Sequence, residues 1–202
     1  MAWGCREAGN NPAAARAYIY GVICHFALDS ECHPYVEKIM QVSGISHHEI
    51  EMEFDRFLEI QDGIKPAPYL RTGHIHPSKK NAQIIASFYE GVTVNETLTA
   101  LKNMIRIHKI LLATSARKLN ILSAIMKITG MHKHYYGMIV KEVGNPKMER
   151  YNHILKKKYA GSVPLAAGLI LQYQKSLYKS EPLPERFDRN FDQGQDWEKI
   201  VL

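Results

Sequence analysis

At 202 residues and 23.1 kDa, with 46% hydrophobic and 23% charged residues, the chain has the composition of one globular domain with a sizeable core. Cys5, Cys24 and Cys32 are odd in number and form no CxxC pair, which excludes a disulfide framework and fits a reducing interior. A net charge of +6 and a pI near 9.1 leave polyanion partners open (nucleic acid, a phospholipid headgroup, another phosphate ester) beside a merely solubilising role. No apolar run approaches the ~20 residues of a membrane span. The opening MAWGCREAGNN lacks a basic region followed by an apolar one. A soluble cytoplasmic protein is expected.

Taken in order, the chain reads as helices. Asn11 before Pro12 is a helix start, with a capping side chain and proline at the first helical position. Residues 13–40 are apolar around much of their circumference and predict a helix buried on several sides, with Cys24 in its core. Pro34 predicts a kink or an end at His33. Ser46 and Glu49 form the pattern of a capping box, opening a second helix to about Ile60 with Ile50, Phe54, Phe57 and Leu58 as its core stripe. A proline-rich loop follows over 64–79, carrying His74 and His76 as solvent-facing histidines. A third helix is predicted over 80–89. Thr93 and Glu96 cap a long fourth whose stripe positions 98, 101, 104, 105, 108, 111 and 112 fall mostly at helical spacing. Glycines break 130–150 into short pieces, Ser162 and Pro164 predict the start of a last helix over 165–178, and the tail 181–202 wraps the surface. No strand-period run occurs, so the fold class is all-α.

The chemistry concentrates in HFALDSECHPYVEKIMQVSGISHHEIEMEFD, residues 25–55. His25, Asp29 and His33 fall at i, i+4 and i+8, as do His47, Glu51 and Asp55, so each set lies on one helix face. An aspartate between two histidines on an apolar helix needs a partner to be buried. Imidazole with carboxylate suits zinc or iron. His48 points about 100° from His47 and reads as surface or outer support. His132 and His134 with Lys133, and His153 with Lys156–Lys158, read as solvated basic surface able to help bind an anion.

This pattern resembles the zinc-dependent phospholipase C family, including its uncharacterised relatives in Gram-positive bacteria. The resemblance rests on AYIYGVICHFALDSECHPYV followed by SHHEIEMEFDRFL, within residues 17–60, and more weakly on LPERFDRNFDQG. It implies an all-α bundle with one to three zinc ions, or other divalent metals, in a cleft between helices. His25 and Asp29 would hold one or two of these ions, and His33, His47 and Glu51 another. It also implies hydrolysis of a phosphodiester, a scheme shared with zinc-dependent single-strand nucleases. The family's further ligands lie upstream of the matched segment. Here the 24 residues before His25 include no histidine or aspartate, so the N-terminal part of the family's site is expected to be missing. Asp55 stands as an extra ligand or catalytic base without a family counterpart. Two other readings are a non-catalytic helical protein with a structural or vestigial metal site, and a nucleic-acid binder using the basic faces around Arg106–Lys118 and Lys156–Lys158.

Overall fold

The computed structural model describes residues 11–64, 70–139, 143–179, 181–191 and 197–202, with the side chains of 133 and 134 left aside. Cys5, Pro66, Pro68 and the His134 ring therefore lie outside the described residues. The fold is all-α, with no strand among the described residues. Among the described residues, no helix is long and apolar enough to cross a membrane.

Helix α1 runs Pro12–Ser43, 32 residues or about 48 Å. Asn11 caps it as its spacing predicts, its side-chain oxygen accepting the Ala14 N–H at 3.1 Å. At the other end Gly44 adopts φ 68°, a left-handed conformation that glycine reaches without steric cost, and donates to the Met40 carbonyl at 2.9 Å. The turn delivers the chain into α2, His47–Gln61. Then come α3 (Lys79–Ala86), α4 (Val94–Leu111), α5 (Ala116–Ile128) and the single turn α6 (His132–Tyr135). The last helix, α7, spans Glu149–Lys179.

The long helices α1 and α7 are the spine. Ile19, Ile23 and Phe26 pack with Ala166, Leu169 and Tyr173, whereas Cys32, Val36 and Ile39 pack with Met148, Tyr151 and Leu155. Early residues of one helix thus meet late residues of the other, so they run antiparallel. α2 closes over the second of these clusters through Ile50, which is fully buried. Each such aliphatic side chain contributes about 1.5–3 kcal/mol by leaving water. A third cluster, Leu111, Ala113, Met126 and Ile139, joins α4, α5 and the segment after α6.

Proline and capping rules give way to this packing in three places. α1 continues through Pro34, and α7 begins at Glu149 and passes through Pro164, so neither proline ends a helix. Extended burial along the α1–α7 pair outweighs one lost backbone bond in each. The Ser46 side chain makes no capping bond, and the Glu49 carboxylate accepts from Asn145 Nδ2 at 3.1 Å. The predicted third helix stops at Ala86, three residues early, and the long fourth helix is broken at 112–115, where Ser115 caps α5 through the Lys118 N–H. The Thr93–Glu96 capping box forms in full.

Two contacts position the ligand-bearing helices. Gly137, in the turn Tyr136–Met138, presses on the start of α2, where an added Cβ would meet the Glu49 nitrogen and the Ser46 hydroxyl at 2.7 Å. The C-terminal segment wraps α1 as expected. Arg186 Nη2 donates to Ser30 Oγ at 2.8 Å and to Glu31 Oε1 at 2.7 Å, and Phe187 and Phe191 pack on Phe26.

Candidate metal centre

The two stripes meet across the α1–α2 junction. On α1, Asp29 lies between its histidines, with His25 Nε2 at 3.1 Å from Oδ2 and His33 Nε2 at 3.9 Å from Oδ1. On α2, Glu51 Oε1 lies 3.0 Å from His47 Nε2 and 3.8 Å from His33 Nε2. The His33 and His47 rings meet edge to face at 4.9 Å. All five predicted ligands therefore form one continuous chain of imidazoles and carboxylates. His48 joins it too, Nδ1 at 3.6 Å from Glu51 Oε2, although helical geometry alone places it off the stripe. Burial grades the chain: the His33 and Asp29 side chains are 11% and 15% exposed, whereas His25 is 67% exposed and lies against Phe191.

Donor atoms of His33, His47 and Glu51 all lie within 4.8 Å of one another. Ligands at 2.0–2.1 Å in a tetrahedral set sit about 3.4 Å apart. The two separations to Glu51 Oε1, 3.0 and 3.8 Å, bracket that value, and with all three donors within 4.8 Å of one another these residues could hold one divalent ion. Asp29 stands beside His33 with His25 on its other oxygen, which suits a neighbouring position or orienting support.

The electrostatics separate two carboxylates one turn apart. Burial pushes the Glu51 carboxyl up, but hydrogen bonds from His33, His47 and His48 and the His47 charge outweigh it, holding Glu51 well below the usual range. The bond to Glu51 in turn raises the His47 imidazole above its usual value, against burial and the nearby His33. Asp55 moves the other way. Loss of hydration raises it, with Glu59 and Glu51 adding to the effect and Arg71 opposing it. The cluster of donor atoms within 4.8 Å does not include Asp55, which stands one turn further along α2.

A cavity of about 510 Å³ adjoins the cluster. Asp29, His33, His48, Glu51 and Asp55 line its polar side, and leucines, Phe54, Met138 and Tyr159 its apolar side. Arg71 and His108 complete the wall. Arg71 is held by Glu59 through paired bonds of 2.6 and 3.0 Å, a fork that keeps the guanidinium fixed. A shallower cavity of about 400 Å³ lies beyond Arg71 and includes Asp55 and His74.

Sequence spacing did not reveal Arg71, His108 or Tyr159. Arg71 lies in the proline-rich stretch 64–79, which has no period, and the other two reach the cavity through tertiary packing. The remaining predictions divide. Cys24 is exposed rather than core, while Cys32 is buried and its thiol is pushed up to about 12 by burial and by Asp29 and Glu31. His74 and His76 face solvent as expected. His132 is stacked on Tyr136 at 4.3 Å and near Ser123, not free surface, and His153 packs on Phe57. Lys156 and Lys158 lie over Phe57 and Tyr35, which occupies part of the face assigned to nucleic acid. Phe54, Phe57 and Leu58 are only half-buried, whereas Glu53 and Glu59 are buried. In comparison with known proteins, the chain matches no family model, no curated protein and no solved structure.

Proposed function

We propose that the chain is a metal-dependent phosphodiester hydrolase of the phospholipase C type, with zinc as the metal. The observation that carries this reading is the convergence of His33, His47 and Glu51 donor atoms within 4.8 Å, with His33 and Glu51 on the wall of a 510 Å³ cavity. His33, His47 and Glu51 would hold one ion, and His25 with Asp29 a second. Zinc held there would supply Lewis-acid charge and would make water a better nucleophile near neutral pH. The protein's own residues supply the rest. The apolar walls lower the polarity on one side of the cavity, and Arg71, fixed by Glu59, sets a positive charge at the cavity wall for an anionic diester. Asp55 faces the same space with a raised carboxyl suited to accept a proton from water.

Metal analysis of the purified full chain, followed by assay on bis(p-nitrophenyl) phosphate and on phospholipid headgroup release, tests the proposal. Stoichiometric zinc with turnover that a chelator abolishes is the expected result. A chain that takes up no zinc, with stability unchanged by chelator, sinks it. One observation favours a second reading, a structural metal clamp: among the described residues every candidate ligand comes from α1 or α2, which are joined by only three residues. Bound zinc without turnover on any diester would select the clamp.

A further inference from the structure

The α4–α5 region carries a surface that the metal centre does not use. From Thr97 to Lys141 the sequence holds no aspartate or glutamate, but includes Lys102, Arg106, Lys109, Arg117, Lys118, Lys127, Lys133 and Lys141. These are eight of the chain's 26 cations and none of its 20 anions, so the remainder is close to neutral. Within this stretch α5 is apolar on two sides. Leu119, Leu122 and Met126 pack into the third cluster, while Ile121 and Ile125 are half-exposed and Ile128 is 86% exposed. At 100° per residue the three isoleucines span about 60° of the helix, with Arg117 and Lys118 at the two margins of that arc. Met131, just beyond the helix, and Ile107 and Ile110 on α4 are also exposed.

An apolar stripe bordered by cations, with no anion in its own stretch of sequence, has three possible occupants, and charge decides among them. A second copy would set the same cations against themselves across a two-fold axis. A nucleic acid would use the cations but has no use for three aliphatic side chains at the centre of the face, where stacking aromatics would serve it. An anionic lipid surface uses both features, taking branched aliphatic side chains at the headgroup–acyl boundary and cations among the phosphates. We propose that the outer face of α5 docks the protein on an anionic lipid surface, with Ile121, Ile125 and Ile128 entering the interface and Arg117 and Lys118 contacting headgroups. This inference is independent of the metal centre and survives its failure.

The test is co-sedimentation of the full chain with phosphatidylcholine vesicles and with vesicles containing about one-third phosphatidylserine. Binding to the anionic vesicles is expected to be at least about tenfold tighter and to weaken with salt. The triple change Ile121→Ser, Ile125→Ser and Ile128→Ser should abolish it while leaving helical content intact, because these side chains are solvent-exposed. Arg117→Gln with Lys118→Gln should weaken it by about tenfold. Should the triple variant unfold, Ile128→Ser alone carries the test, with a several-fold loss expected from the most exposed isoleucine. Wild-type protein that ignores anionic vesicles, or isoleucine variants that bind like wild type, overturns the proposal. So does a dimer that the isoleucine changes dissolve in the absence of vesicle binding, or RNA binding in its place. Glu51→Gln should leave vesicle binding unchanged, which separates this result from the metal centre.

Discussion

Two helices carry the same spacing of ligand-type residues and put it to different use. On α1 the central residue of the stripe, Asp29, lies in the wall of the core with a histidine at each oxygen. On α2 the central residue, Glu51, gathers three histidines, while Asp55 at the end of the same stripe is pushed in the opposite protonation direction. Spacing therefore selects the face, and the neighbours across that face shift the two α2 carboxylates in opposite directions. His33 is the residue that converts two parallel stripes into one site, because it stands on α1 but points to the carboxylate of α2.

That contrast can be broken most sharply at its centre. Glu51→Gln should weaken zinc binding by about a hundredfold or more, since changes in supporting residues alone reach that size; titration against a chromogenic chelator measures it. Asp55→Asn should leave metal content untouched and cut turnover of a chromogenic diester by about a hundredfold. Loss of metal with the Asp55 change, or retention with the Glu51 change, would erase the distinction between the two α2 carboxylates. Gly137→Ala should cost about 1–3 kcal/mol in denaturant unfolding, because its methyl group meets α2 backbone at 2.7 Å, and should shift His47 relative to His33. Asp29→Asn should reduce zinc affinity by only about tenfold if Asp29 orients rather than leads.

The smallest expected effect is that of pH on the metal-free protein. Glu51, depressed from a usual 4.5, adds stability above that value that is lost as pH falls through its folded value. His47, raised from a usual 6.5, adds stability below that value that is lost as pH rises through its folded value. The pair therefore helps most between these limits. A chelated sample should melt a little lower at about pH 8.5 than at about pH 6, and Glu51→Gln should flatten that slope. Zinc affinity should move the other way, tightening with pH as the proton leaves His47.

Much of this was legible in the residues themselves. The i, i+4, i+8 stripes, the Asn11–Pro12 start and the Thr93–Glu96 box depend on neighbours within one or two turns, and local geometry settles them. Features that failed were those with a distant competitor. Glu49 is taken by Asn145, 96 positions away, and Pro34 and Pro164 are carried by the α1–α7 contact. His48 is drawn to a carboxylate that already holds two other histidines, and Arg71 is anchored by Glu59, twelve positions away on another element. No pattern within a single element encodes such partners.

Pro34 has one more consequence, in the time domain. Lacking an N–H, it cannot donate to the Ser30 carbonyl, so the backbone ladder of α1 has a missing rung in the turn that carries His33. That turn is gripped from the far end of the chain, where Arg186 bonds Ser30 and Glu31. Amide hydrogen exchange along α1 should then show its interior opening at the histidine turn before either flank, and removal of residues beyond Lys179 should speed exchange there selectively. Slower exchange there in the intact chain would mark the C-terminal segment as a brace for the turn that carries His33.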